Sequence, residues 1–243
     1  MKRVSRWLAV TALIALLGLV TGAVPASARP APTPDVDVQP VAGMSPDARS
    51  MTVQVLASCP ERWTLVDAVV TVSQPGAQGQ ASFPLTCIGS LRSFWVSVHA
   101  SSGTFQLAEA KVSASVVVKR GKTAQAEDSE VVPVQPLVDV ALAGSARLDS
   151  GGGAVTIDVT VACPAGTSGV ESRLVVSQGQ AIGVGLYTPI CDGIRHTFTV
   201  DVKASRGAYD ADFLAQALTF AQIEHAGQIF YGIDDDGSLE LVS

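Results

Sequence analysis

The sequence predicts an all-β chain, two tandem antiparallel β-sandwich domains behind a cleavable export signal. Three observations predict it. A charged and then apolar leader opens the chain, apolar and polar residues alternate with period two through much of the rest, and the second half repeats the first in register. Composition agrees: 47% of residues are hydrophobic but only 5% aromatic, Val and Ala are prominent, and 22 Gly and 13 Pro supply turn material.

The leader comes first. Lys2, Arg3 and Arg6 precede an apolar run from Trp7 to Val20, extended to Val24, and Ala26-Ser27-Ala28 places small residues where a signal peptidase reads. The run is near the lower length limit for a membrane span. The small-residue site and the Pro-rich stretch after it favour cleavage, so residues 1–28 are expected to be a signal peptide and 29–34 an extended, Pro-rich leader. No Arg-Arg pair precedes the run, which points to the general export route, and no Cys stands at the cleavage site to take a lipid. Of the 16 Lys and Arg, three lie in the leader; the remaining 13 face 22 Asp and Glu, a net charge of −9 with His neutral. An acidic surface repels nucleic acid and anionic lipid, so the mature chain is expected to be secreted and extracellular, with no nucleic-acid partner and no membrane after cleavage.

The repeat fixes the domains. Thr52-Val53-Gln54-Val55-Leu56-Ala57-Ser58-Cys59-Pro60 lies over Thr156-Ile157-Asp158-Val159-Thr160-Val161-Ala162-Cys163-Pro164 at a shift of 104. At the same shift Val72-Ser73-Gln74 meets Val176-Ser177-Gln178, Cys87 meets Cys191, and Gly79, Gly89 and Gly103 meet Gly183, Gly193 and Gly207. Phe94, Val96 and Val98 meet Phe198, Val200 and Val202. Repeat 1 is therefore placed at 35–135 and repeat 2 at 137–243, with Pro133 and Pro136 bracketing the joint.

Strands follow from the alternation. Val53, Val55, Ala57 and Cys59, and in the second copy Ile157, Val159, Val161 and Cys163, form one apolar side of a period-two pattern. Further strands are predicted at Ala68–Gln74, Ser172–Gln178 and Lys111–Lys119, and a hairpin over Phe230–Val242 turning on Asp236-Gly237. Phe213, Leu214, Ala217, Leu218 and Ala221 could line a helix face, but the matching segment of repeat 1, Ala114–Val118, is β-like, so both are assigned as strands.

Four Cys allow three pairings. Cys59 to Cys87 and Cys163 to Cys191 each span 28 positions, so one bond within each copy is the simplest pairing, and an exported chain permits it. Each bond would contribute roughly 3–4 kcal/mol in the chain-entropy account. The short span suggests a bond from a strand end to the next loop. Zinc would call for Cys-x-x-Cys or paired His, which the sequence lacks.

The pattern Thr156-x-x-Val159-x-x-x-Cys163-Pro164, then Val176-Ser177-Gln178, Cys191-Asp192-Gly193 and Phe198-x-Val200-x-Val202, resembles tandem immunoglobulin-like repeats in secreted, largely uncharacterised proteins of actinobacteria. The resemblance spans nearly all of the mature chain and implies two Ig-like sandwiches. Its motifs are structural and carry no catalytic residue. Family members often hold a further Cys pair near the repeat end, which Glu127–Val134 and Tyr231–Val242 lack.

Little in the sequence points to chemistry. His99, His196 and His225 do not recur between the copies, and the Gly-x-Ser-x-Gly turn of a nucleophile elbow is missing. Gly151-Gly152-Gly153 lacks the Lys-Ser or Lys-Thr of a phosphate loop and precedes a strand, which suits a turn. Asp234-Asp235-Asp236-Gly237 departs from the EF-hand spacing, so no metal is expected, with Asp234 and Asp236 the ligands to check. No cofactor is expected. Trp95, where repeat 2 has Thr199, and Trp63, after Cys59-Pro60, are the binding candidates, because an outward Trp is a common anchor. A non-enzymatic binding or adhesion module for an extracellular protein or glycan is the leading expectation. A structural spacer or envelope-associated protein is the alternative, followed by a small-ligand carrier or a hydrolase.

Overall fold

The computed structural model describes residues 33–235 and 238–242. The leader expected at 1–28 lies outside the described residues, as do Asp236 and Gly237. Among those described the chain is all-β, with no helix.

The first half supplies β1 (Asp35–Met44), β2 (Ser50–Ser58), β3 (Thr64–Gln74), β4 (Ala77–Ser82), β5 (Arg92–Ser102), β6 (Ala110–Arg120), β7 (Lys122–Val132) and β8 (Val134–Pro136). They pair in the order β7-β6-β3-β4-β5-β2-β1-β8. The second half supplies β9 (Asp139–Leu142), β10 (Ser145–Leu148), β11 (Ala154–Ala162), β12 (Ser168–Gln178), β13 (Ala181–Tyr187), β14 (Arg195–Arg206), β15 (Gln216–His225), β16 (Gln228–Asp234) and β17 (Glu240–Val242). Their order is β16-β15-β12-β13-β14-β11-β10-β17, with β9 also on β11. The strand orders match, β9 and β10 together standing where β1 stands in the first half.

Each path curls around one apolar core. β2 alternates strictly, with Met51, Val53, Val55 and Ala57 fully buried and Thr52, Gln54, Leu56 and Ser58 half-exposed. On β11 the buried set is Val155, Ile157, Val159 and Val161. Val70, Val72, Val112 and Val116 of β3 and β6 join the first core, and Leu174, Val176 and Ala221 of β12 and β15 join the second. A fully buried Val, Leu or Ile contributes about 1.5–3 kcal/mol, which makes these stripes the main stabilising term.

Each path turns at one corner and closes along one seam. β4 meets β5 only at Gln78↔Ser102 and Gly79↔Ala100, and β13 meets β14 only at Ile182↔Arg206 and Gly183↔Ala204. The strands approach so closely there that a Cβ on Gly79 or Gly183 would run into the carbonyl oxygen of His99 or Lys203. At the seam β1 loses register between Val38 and Ala42, where Pro40 has no N–H to offer. Beyond that break Ala42–Met44 pair in parallel with Val134–Pro136, as Ser145–Arg147 pair with Glu240–Val242.

Two expectations are settled by the pairing. Strand, not helix, forms over Gln216–His225, with Phe213 and Leu214 in the exposed loop before it. The hairpin placed over Phe230–Val242 is not there: β16 folds back on β15 through Ala226-Gly227, and β17 leaves to pair with β10. The Asp-Gly signal is local, whereas the apolar side chains of Leu239 and Leu241 are drawn into the core beyond it.

Both disulfides stay within their own half, Cys59–Cys87 with Cα atoms 4.7 Å apart and Cys163–Cys191 at 4.8 Å, and no cysteine is free. Each ties the end of β2 or β11 to the loop before β5 or β14. Gly89 and Gly193, with φ of 76° and 84°, then donate their N–H to Cys59 O and Cys163 O at 3.0 Å. The left-handed backbone there explains why both copies carry Gly. Gly151–Gly153 form the turn between β10 and β11, closed by Asp149 N–H on Ala154 O at 3.0 Å.

Candidate functional site

The polar residues that recur between the halves turn out to hold the frame. Gln74, at the end of β3, reaches across to the segment before β6: its Nε2 donates to Gln106 O and Ala108 O at 3.0 Å, and its Oε1 accepts from Gln106 N at 2.8 Å. Gln178 does the same with Asp210 O at 2.8 Å, Phe213 O at 2.6 Å and Asp210 N at 2.7 Å. The Val-Ser-Gln motif is thus a strand ending in a loop clamp.

Asp234 has a similar duty. Its carboxylate accepts the Leu142 N–H at 2.7 Å, and Asp128 of the first half accepts the Val38 N–H at 2.7 Å. Both bonds satisfy a backbone donor where the first strand breaks register. Among the described residues no group of three or more His, Cys, Asp or Glu is arranged to hold a metal. Asp236, the other ligand to check, lies outside the described residues.

The histidines are dispersed. His99 is exposed on β5. His196 Nε2 lies 3.0 Å from both carboxylate oxygens of Asp192, whose pKa is held below the usual value first by the Ile194 N–H and then by His196. His225 Nδ1 lies 3.3 Å from Gly166 O. His225 and Asp192 line a cleft of about 670 Å³ with Arg49 and Phe105. Among the described residues no hydroxyl or thiol bonds any of the three rings, so the nucleophile–base contact of a triad is not formed there.

The two tryptophans have different surroundings. Trp95 stands on β5, 68% exposed, opposite Gln54, whose amide donates to Ser93 Oγ at 2.8 Å. Its counterpart Thr199 is tied into a polar lattice, donating to Asp158 Oδ1 at 2.7 Å. Trp63 is half-buried against the first core.

A feature without a sequence signal lies on the outer faces. A shallow depression of about 410 Å³ sits on β3, β6 and β7, lined by Thr71, Lys111, Ser113, Ser115, Glu127 and Ser129. A depression of about 380 Å³ sits at the matching place on β12, β15 and β16, lined by Val175, Ser177, Gln216, Leu218 and Asp235. The ladders equate them: Thr71↔Ser113 corresponds to Val175↔Leu218, and Ser115↔Glu127 to Phe220↔Ile233. The first depression is hydroxyl-rich and charged. The second sets Val175 and Leu218 beside Ser177, Gln216 and Asp235.

Protein-family models and curated proteins give no match to the sequence. Among solved structures, the crystal structure of a YadV chaperone is similar at 10% identity, covering 83% of this chain and 99% of that one, with a TM-score of 0.23. That score carries neither fold nor function across.

Proposed function

We propose that the chain is an exported, non-enzymatic pair of Ig-like β-sandwich repeats that acts as an extracellular binding or adhesion module. One observation carries it: the internal polar contacts recur between the halves, while at matching outer positions Thr71, Ser113, Ser115 and Glu127 of the first half stand against Val175, Leu218, Phe220 and Ile233 of the second. A frame kept constant under changing faces is what a binding scaffold needs, since specificity resides in the exposed side chains. Export is supported by the leader and by the two disulfides, which persist in oxidising compartments. The Ig-like assignment is supported by the sequence resemblance and by two layers joined through β4 and β5 around each core.

The test is a glycan array and an extracellular-protein pulldown with the chain from Arg29 onward, beside a Trp95→Ala variant. Binding that weakens at least about tenfold on loss of the indole supports the module and places its anchor. A blank result across both formats at high micromolar concentration contradicts it and favours a spacer.

A further inference from the structure

The outer face of β13, β12, β15 and β16 exposes a block of large apolar side chains that the fold does not require. Val184 and Leu186 of β13 are 52% and 54% exposed, and Ile229, Tyr231 and Ile233 of β16 are 40%, 59% and 59% exposed. Between them lie half-buried Leu218 and Phe220 of β15. The ladders make this one patch: Leu186↔Arg173↔Phe220↔Ile233 run side by side, as do Val184↔Val175↔Leu218.

The first half serves as the control. At the places of Val184 and Leu186 it has Gln80 and Ser82, and at those of Ile229, Tyr231 and Ile233 it has Thr123, Gln125 and Glu127. The same strands therefore form with polar residues at all five positions, and the apolar set is not there to make the sheet.

From this contrast we infer that the face is the contact surface of a dimer, covered by the same face of a second copy of the chain. The size fits. These side chains leave on the order of 500 Å² of apolar surface, near the upper end of what a lone soluble chain carries in one patch. With the flanking Arg173, Gln222 and Glu224 the face approaches the ~800 Å² per partner of a standard interface. A second sheet can cover the face, since strand faces pack on one another at about 10 Å, with side chains of the partner entering the shallow depression at Val175 and Leu218. The charges are complementary for a copy too: the same face carries exposed Arg173 together with exposed Glu224 and Asp235, so two copies face to face can set the base of one against an acid of the other. An anionic membrane meets no basic cluster there, and the net charge of −9 over residues 29–243 opposes it. This inference shares with the binding reading the contrast between the two outer faces, and the experiments separate them: a chain that stays monomeric overturns the dimer alone, and a blank array and pulldown overturn the binding module alone.

Sedimentation of the chain from Arg29 onward, from roughly 1 to 100 µM, reads the equilibrium over the micromolar range. A monomer–dimer transition within it is expected. A Tyr231→Lys, Ile233→Glu double variant is expected to weaken that dimer at least about 30-fold, given the cost of losing central anchors. A Gln125→Lys, Glu127→Lys variant on the opposite half is expected to leave it unchanged. Both variants alter exposed positions, and melting temperatures unchanged at dilutions where the parent chain is monomeric will show that they fold. A monomer throughout, or a dimer indifferent to the Tyr231 and Ile233 changes, overturns the inference.

Discussion

The two halves solve the same packing problem with different chemistry. Where the first half buries Phe83 against Phe94, ring centroids 5.2 Å apart, the second packs Tyr187 against Phe198 at 5.7 Å. Where the first buries Phe105, the second has Tyr209. The added hydroxyls find partners, Tyr187 Oη with Thr219 Oγ1 at 2.7 Å and Tyr209 Oη on Val176 O at 3.4 Å. The second half is thus the more polar inside and the more apolar outside. The frame sets where a side chain goes, and within that limit the two surfaces differ.

The largest effect expected from breaking this comparison is loss of a disulfide. Replacing Cys59 and Cys87 with Ala, or Cys163 and Cys191, is expected to cost about 3–4 kcal/mol in urea unfolding, and equally in both halves because the loops have equal span. A marked inequality would show that the halves depend on their bonds differently.

Next come the aspartates at the register break. Asp128→Ala and Asp234→Ala each leave a backbone N–H without its charged partner and are expected to destabilise by about 1.5–3 kcal/mol. If Asp234→Ala costs nothing while Asp128→Ala does, the correspondence between the two sites fails.

The tyrosines separate the halves by pH. Burial raises the pKa of Tyr187 above its ordinary value, against a smaller lowering by Thr219, and burial raises that of Tyr209. The unfolded chain therefore loses these protons first. The stability is fully present below pH ~10 and falls as pH rises from there through the folded values. Denaturation followed by pH is expected to show this alkaline loss, and Tyr187→Phe with Tyr209→Phe to reduce it. Phe at both matching sites predicts that the first half lacks it.

The smallest effect is expected at Trp95. Truncation to Ala at a side chain this exposed is expected to change the melting free energy by no more than about 0.5 kcal/mol. A larger loss would make the indole part of the fold.

Much of the frame was legible in the sequence because it is written in local rules. Alternation located the core sides of β2 and β11, and equal Cys spacing gave both bonds. What escaped depends on distant partners. Asp128 and Asp234 act on backbone donors 90 and 92 residues away. The stretch from Ile229 to Asp234 alternates like a half-buried strand, but the rule that apolar residues face inward is reversed there. Gly232 lies against Val138 and Asp234 turns toward β9, so Ile229, Tyr231 and Ile233 face outward. The outer-face depressions had no signal at all, because each joins a consecutive pair, β6–β7 or β15–β16, to a strand remote in the chain, β3 or β12.

Peptide mapping of the unreduced native chain tests most directly whether each half is closed on itself. Linked fragments joining Cys59 to Cys87 and Cys163 to Cys191 are predicted, with no free thiol. A bond between the halves, or four reactive sulfhydryls in the native protein, would contradict the account.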